Sequence, residues 1–190
     1  MAEKSDEEIV RLVQSGQTNF FSVLIERYEE KIRRYARKFL SNREDTDDII
    51  QGVFIKAYVN VRSFDTKRKF SSWLYRIAHN ELVNHLRKRR FFSSFDFDAF
   101  FPHSVRLHDN ETEKEISQKE IQATIDNCLD KLEPKYREPI ILYYLEELSY
   151  REIANILRLP LSTVGVRLNR GKEKLKSIYN RIYEQSSPEK

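Results

Sequence analysis

Cysteine and glycine are scarce in this chain of 190 residues. Cys128 is the only cysteine, so neither an internal disulfide nor a cysteine-based metal cluster can form. Only four glycines are present, and the alternation typical of strands is hard to find. No apolar run approaches the roughly 18 residues of a membrane span, and the first ten residues lack the pattern of a secretory signal. We therefore expect a cytoplasmic protein without membrane insertion.

Catalytic motifs are also missing from the sequence. The four histidines follow no HExxH or similar ligand spacing, and no Ser-His-Asp pattern or Gly-rich phosphate loop is evident. Asp45, Asp47 and Asp48 lie close together, but they suit the positive end of a helix better than a metal cage. We therefore predict that the protein is not an enzyme and uses no cofactor or metal. A nuclease is the alternative, and metal-dependent DNA cleavage would support it.

The positive charge is unevenly distributed, although the formal net charge is only +4. Lys and Arg dominate residues 61–90 and 149–178, whereas acidic residues dominate the segment 91–115. Two basic blocks separated by an acidic segment indicate two places where a polyanion can bind. Solvated helix faces would give the same runs of charge.

Helical spacing of apolar residues recurs throughout the chain, and it predicts an all-α protein with two small helical domains. We expect residues 1–90 to form an N-terminal helical bundle. Residues 91–115 read as a flexible linker because they break the helical pattern, and residues 116–184 read as a helix-turn-helix domain.

The segment 148–176 predicts a short helix, a tight turn and a second helix. Ser149 and Glu152 form a capping box at its start, and Val164 and Leu168 have the spacing of inward-facing residues. The side chains left outside on the second helix are Ser162, Thr163, Arg167, Arg170 and Lys174. A second helix of this kind enters the major groove by its N-terminal end. This pattern favours duplex-DNA binding over a merely structural helical hairpin.

The segment 63–90 combines a basic loop with an aromatic and basic helix. Aromatic rings can support unstacked bases, and cationic side chains can follow a phosphate backbone. Trp73, Leu74 and Ile77 have helical spacing and are assigned to the core, so the predicted DNA contacts are polar residues. These predicted contacts are Lys67, Arg68, Lys69, Arg76, His79 and Asn80.

Three ordered segments resemble the extracytoplasmic-function (ECF) sigma factors, the smallest class of the sigma-70 family. Residues 45–60 are similar to the family's polymerase-binding helix, and residues 70–90 to the segment that melts and reads the minus-ten promoter element. Residues 129–175 are similar to its domain that binds the minus-thirty-five element. The resemblance implies a sigma factor that binds core RNA polymerase and directs promoter-specific initiation. It also implies an anti-sigma factor as a partner.

The resemblance implies roles for individual residues. The positions matching contacts with the clamp of the polymerase largest subunit are Asp48, Ile49, Gln51, Val53 and Phe54. Helix capping by Asp48 and core packing of Val53 and Phe54 are the alternatives. The loop from Ser63 to Phe70 matches the family's base-capturing loop, with Asn80 lining the pocket. The phosphate-holding positions are Arg87, Lys88, Arg89 and Arg90.

The sequence leaves open how strongly the upstream element is bound, which path the linker takes, and whether the protein acts with polymerase at all. Gly165 stands where the family commonly has a basic residue, which removes a phosphate contact and lowers helix stability by about 1 kcal/mol relative to Ala. The linker either threads the polymerase channels or packs its phenylalanines between the two domains. A stand-alone DNA-binding regulator is a further alternative, although no dimer interface or ligand pocket is evident in the sequence.

Overall fold

The structure is a computed structural model that describes residues 4–91 and 113–184, and the side chains of residues 4–88 and 121–182. Within these ranges the chain forms eight α-helices and no β-strand. The prediction of an all-α protein is therefore confirmed for the described part of the chain.

Four helices make up the N-terminal half: α1 Asp6–Gln14, α2 Phe21–Arg37, α3 Arg43–Asn60 and α4 Phe70–Phe91. A capping box opens α1, because the Glu8 amide donates to the Ser5 hydroxyl and the Ser5 amide donates to the Glu8 carboxylate. The side chain of Asn42 caps α3 by accepting from the Glu44 amide. Fully buried residues of α2, α3 and α4 form the core: Leu24, Ile32, Val53, Ala57, Leu74 and Ala78.

The C-terminal half contains α5 Glu113–Asp130, α6 Pro134–Ile140, α7 Tyr150–Leu157 and α8 Leu161–Glu184. A π-helical segment, Ile141–Leu145, continues α6. Pro134 lies at the first turn of α6, where its missing N–H breaks no hydrogen bond. The predicted capping box of Ser149 and Glu152 at the start of α7 is confirmed.

The turn between α7 and α8 is made by Arg158, which has the left-handed value φ 54°. Val164 and Leu168 are buried, as predicted. The helix α8 also crosses α6 closely at Gly171, where a Cβ atom would lie 3.1 Å from Ile140 Cγ1 and 3.3 Å from Tyr136 Cβ. The absence of a side chain at Gly171 therefore allows α8 to pack closely on α6.

The predicted linker 91–115 is helical at both ends. The helix α4 continues to Phe91, and α5 begins at Glu113, three residues before the predicted domain start. The rest of the predicted linker, residues 92–112, lies outside the described residues.

Candidate nucleic-acid interfaces and the contact between them

The basic loop before α4 is held at both ends by an aromatic cluster. Phe64 and Phe70 are buried, and the ring centroid of Trp73 lies 5.0 Å and 5.7 Å from theirs. Between these anchors Lys67, Arg68 and Lys69 are exposed. The aromatic residues therefore position the loop, and the cations predicted to meet DNA are those that remain outside.

Helix α1 braces the same loop. The Gln14 side-chain amide donates to the carbonyl oxygens of Val61 and Phe64, at 2.8 Å and 2.9 Å. The Glu7 carboxylate accepts from the Phe70 amide at 2.9 Å and so caps α4 from another helix. Sequence reasoning missed these bracing roles because the partners of Gln14 lie 47 and 50 residues away in the chain and the partner of Glu7 lies 63 residues away.

The predicted minus-ten residues on α4 differ in exposure. Arg87 and Lys88 are exposed, whereas Arg76, His79 and Asn80 are half-buried. The side chains of two further predicted residues, Arg89 and Arg90, lie outside the described residues. Within the half-buried group, His79 contacts Glu138 of the C-terminal half, whose helix α7 packs against α4.

Glu138 of α6 is the first of three carboxylates that lie against this face. It accepts a hydrogen bond from the Tyr35 hydroxyl of α2, and its Oε1 lies 2.7 Å from His79 Nδ1. Burial and the negative charge of Glu138 raise the pKa of Tyr35 well above its usual range. Tyr35 therefore stays a neutral donor to this carboxylate.

Glu146 is the most deeply covered of the three, with its side chain 1% exposed. The guanidinium of Arg34 donates to both of its carboxylate oxygens at 3.1–3.2 Å, and the Tyr75 hydroxyl donates to one of them. Burial and the Glu146 charge raise the pKa of Tyr75. A buried carboxylate is tolerated here because both oxygens have strong donors.

Glu152 joins its capping role to a contact between the two halves. Its Oε1 accepts from the Ser72 hydroxyl at 3.0 Å and lies 3.2 Å from Lys69 Nζ. Burial alone would raise the pKa of Glu152, but hydrogen bonds from Ser149, Lys69 and Ser72 hold it below its usual range. We use the name carboxylate triad for Glu138, Glu146 and Glu152.

Arg137 adds a second line of contact. Its side chain is 2% exposed, and it donates to the carbonyl oxygens of Leu132, Asp130 and Lys38. Burial lowers the pKa of Arg137. Because the Lys38 carbonyl lies just beyond the end of α2, this arginine joins the two halves through the main chain. The Lys38 ammonium also pairs with Asp126 of α5.

The outward face of α8 is open to solvent. Ser162 and Arg170 are exposed, whereas Thr163 and Arg167 are half-buried at its flanks. Lys174 is exposed but pairs with Glu133 at 2.8 Å within its own domain. The exposed stripe also contains residues that sequence reasoning did not select, namely Val166 and Asn169. Helical spacing from Ser162 would have found both of them.

The predicted polymerase-binding residues separate into two groups. Asp48 and Gln51 are exposed on α3, but Ile49, Val53 and Phe54 are buried in the core of the N-terminal half. The burial of Val53 and Phe54 supports their alternative assignment to core packing, because an amphipathic helix turns such positions inward. Ile49 lies on the same inward side, although no core role was predicted for it. The exposed stripe instead continues through apolar residues that the sequence reasoning missed: Ile55, Tyr58 and Val59.

Neither a metal site nor a membrane span is found in the part of the chain that the structure describes. No group of three or more His, Cys, Asp or Glu side chains there could hold a metal ion. Among the same residues, every helix is too short or too polar to cross a bilayer.

Two family descriptions match the chain. The first, Sigma-70 region 2, matches residues 24–92, and the second, Sigma-70, region 4, matches residues 122–175. The ECF RNA polymerase sigma factor SigW of Bacillus subtilis is 35% identical over 173 residues, with 88% of this chain and 92% of SigW covered. The ECF RNA polymerase sigma-E factor of Haemophilus influenzae is 33% identical over 184 residues, with 93% and 97% covered.

Solved structures with the same fold include two complexes. CnrH in complex with the cytosolic domain of CnrY has a TM-score of 0.70 and 25% identity, covering 94% of this chain and 99% of CnrH. The sigma factor RpoE in complex with the anti-sigma factor NepR from Bartonella quintana has a TM-score of 0.67 and 21% identity, covering 83% and 95%.

Proposed function

The chain belongs to the ECF sigma factors of the sigma-70 family, and on this premise we propose which of its surfaces carry each part of that function. It is an RNA polymerase sigma factor that directs promoter-specific transcription initiation. Proteins of this family are initiation factors and not enzymes, and we propose that this chain likewise leaves all chemistry to the polymerase. The segments 1–90, 91–115 and 116–184 are proposed as its two functional domains and their linker.

The polymerase-binding surface is proposed to be the outward face of α3. Asp48, Gln51, Ile55 and Val59 follow one another at helical spacing, and Ile55 and Val59 are 56% and 70% exposed. Neighbouring exposed apolar side chains rimmed by polar ones are typical of a protein-binding site. This face therefore supports a contact with the clamp of the polymerase largest subunit.

The test of this surface is a pair of charge-adding variants. Ile55→Arg places a charge in the centre of the proposed contact and is expected to lower affinity for core polymerase at least tenfold. Tyr179→Arg makes a similar change on α8, where the residue is 47% exposed, and is expected to bind core polymerase normally. Equal affinities of the two variants would remove α3 from the proposed interface.

The minus-ten element is proposed to bind across the loop 63–70 and the adjoining face of α4. Melting extracts a base from its stack, and the loss of a few kcal/mol must be offset by a protein pocket. The anchored loop supplies a fixed edge for such a pocket, and Arg76, His79 and Asn80 line the adjoining helix. Arg87 to Arg90 extend the positive charge towards the end of α4, where they favour phosphates.

The minus-thirty-five element is proposed to bind the exposed face of α8. A helix-turn-helix places the N-terminal end of its second helix in the major groove, and the outward residues of α8 begin at its first turn. Ser162, Thr163, Arg167 and Arg170 are proposed to contact bases and phosphates there. Lys174 lies further along the helix, and its pairing with Glu133 has to break before it can meet a phosphate.

The observation that carries the proposal of a closed state is that the carboxylate triad contacts the N-terminal half. Glu138 and Glu152 pair with His79 and Lys69, which are two of the residues proposed to meet DNA. Carboxylates and phosphates compete for the same donors. We therefore propose that the described arrangement is a closed state, and that the two halves separate before the N-terminal half binds the minus-ten strand.

An anti-sigma factor is the further partner we propose, since RpoE is one fold neighbour that is solved with such a protein. Such an inhibitor would bind either the closed state or the separated halves. Co-purification of the tagged chain from unstressed cells tests this proposal. Recovery of the chain with no stoichiometric inhibitory protein would count against it.

The function as a whole is tested by transcription in vitro. The purified chain and bacterial core polymerase are mixed with a pool of randomised promoters, and specific transcripts are expected only when the chain is present. Sequencing these transcripts' templates gives both promoter elements. The chain could instead fail to bind core polymerase from its own organism and yet bind duplex DNA alone in a gel-shift assay. That result would favour a stand-alone DNA-binding regulator over the surfaces proposed above.

A further inference from the structure

An apolar side chain stands on the outward, DNA-facing stripe of α8. Val166 is 48% exposed, although it lies among polar and basic neighbours. Val164 and Leu168 are buried, which fixes the inward side of the helix. At about 100° per residue, Val166 lies one turn after Ser162 and one turn before Arg170, on the outward side.

Nothing in the packing of the domain explains a valine at this position. An exposed β-branched residue lowers helix propensity relative to Ala and gains little from burial. The adjacent position is Gly165, where an added Cβ would meet only the Tyr150 ring, at 3.8 Å. Because Gly165 has no side chain, it leaves the surface beside Val166 open.

The chemistry of the major groove identifies what such a side chain can read. Each base pair presents a distinct pattern there, and the C5-methyl group of thymine is its apolar element. Val166 has a stiff side chain in a helix, so it loses little rotamer freedom on contact. Its flanking residues Arg167 and Arg170 are cations that hold the duplex by its phosphates or guanines.

We propose that Val166 is a specificity-determining residue that reads the methyl group of one thymine in the upstream promoter element. This inference rests on the proposed placement of α8 on that element. It predicts that promoters selected from a randomised pool carry a thymine at one position, on one strand, because of an apolar contact.

The test replaces single thymines by uracil, which removes the methyl group and leaves every hydrogen-bonding group unchanged. Holoenzyme assembled from this chain and core polymerase is titrated against templates that carry one such replacement each. One position is expected to lose about fourfold in affinity, the value for burial of a single methyl-sized group. In Val166→Ala the same replacement is expected to have no effect.

The matched control is Leu161→Ala. Leu161 is 49% exposed on the same helix but points about 140° away from Val166. This variant is expected to keep the full uracil penalty. Both variants place Ala at exposed helical positions, so folding is not at risk.

The outcomes separate this inference from the proposed function. Absence of transcripts with the unchanged chain on every template would contradict the proposed function. Normal transcription with no uracil-sensitive thymine, or a penalty that persists in Val166→Ala, would overturn the role of Val166 alone.

Discussion

The two DNA-binding surfaces proposed for this chain differ in how accessible they are. On the N-terminal half, His79 and Lys69 are paired with carboxylates of the other half. On the C-terminal half, the outward stripe of α8 from Ser162 to Arg170 is exposed. The proposed strand-binding surface is therefore contacted in part by the protein itself, while the proposed duplex-binding surface is open to solvent. This difference indicates that the surface for duplex DNA and the surface for the melted strand need not become accessible at the same time.

The different chemistry of the two targets fits this difference. Duplex DNA presents its grooves without being opened, whereas the minus-ten bases become available only on melting. A free chain with a bare strand-binding face would bind single strands non-specifically through its many cations. We propose that contacts from the carboxylate triad lower such binding until the two halves separate.

The largest expected effect comes from removing Arg137, which contacts both halves of the chain. Arg137→Ala removes a buried guanidinium and leaves the carbonyl oxygens of Leu132, Asp130 and Lys38 without their donor. We expect a loss of about 3 kcal/mol in the free energy of unfolding, measured by urea denaturation.

The control for Arg137→Ala is Arg151→Ala. Arg151 is exposed on α7, and its removal is expected to change stability by less than about 0.5 kcal/mol. A similarly small effect for both arginines would mean that the Arg137 hydrogen bonds contribute little to the free energy of unfolding.

A smaller effect is expected from a change in the turn between α7 and α8 of the C-terminal half. Arg158 adopts a left-handed conformation, which is unfavourable for a residue with a Cβ atom, and glycine is the usual residue at such a helix end. Arg158→Gly is expected to raise the free energy of unfolding by about 1 kcal/mol in thermal or urea denaturation. By contrast, Arg151→Gly within α7 should lower it by about the same amount. Destabilisation by both would show that the Arg158 side chain has a stabilising contact of its own.

The smallest expected effect is a pH dependence of the closed state, caused by the contact of Glu152 with Lys69 and Ser72. Because the pKa of Glu152 is lowered in the folded state, its stabilising contribution is present above its ordinary value of 4.5 and is lost as the pH falls through the folded value. We expect the closed state to loosen below about pH 4.5, as measured by energy transfer between dyes on the two halves. Lys69→Met removes the cationic partner and should reduce this pH dependence. An unchanged pH profile in that variant would exclude the Lys69–Glu152 pair as its source.

Much of the fold could be predicted because its determinants are local. The capping box of Ser149 and Glu152 needs only four consecutive residues, and it is confirmed. The inward positions Val164 and Leu168 follow from helical spacing and are confirmed as well. The family assignment also succeeded, because its motifs lie within continuous segments.

The contact between the halves could not be predicted in the same way. Glu138 and Tyr35 are separated by 103 residues, and Glu146 and Tyr75 by 71. Neither partner is distinguished by its neighbours in the sequence. Sequence reasoning treated Glu152 only as a capping residue, and its second role depends on how α7 meets α4.

The α3 residues teach a different lesson. Ile49, Val53 and Phe54 were assigned to polymerase binding by resemblance, yet they are buried. Their spacing alone indicates an inward face. The exposed apolar residues Ile55 and Val59 are the sequence signal for the proposed outward contact. Assigning every residue of the family motif to that contact hides the difference between inward and outward positions.

The closed state is tested most directly by the affinity of the free chain for the minus-ten strand. Glu146→Gln removes the charge that Arg34 and Tyr75 hold, and Glu147→Gln makes the same change at the next, exposed residue. A loss of about 1.4 kcal/mol in the closing free energy would raise the open fraction about tenfold. Binding is measured with the non-template strand of a selected promoter and, separately, with the duplex upstream element.

The account predicts about tenfold tighter single-strand binding for Glu146→Gln, unchanged binding for Glu147→Gln, and unchanged duplex binding for both. Equal single-strand affinities of Glu146→Gln and the unchanged chain would contradict the claim that the carboxylate triad covers the strand-binding surface.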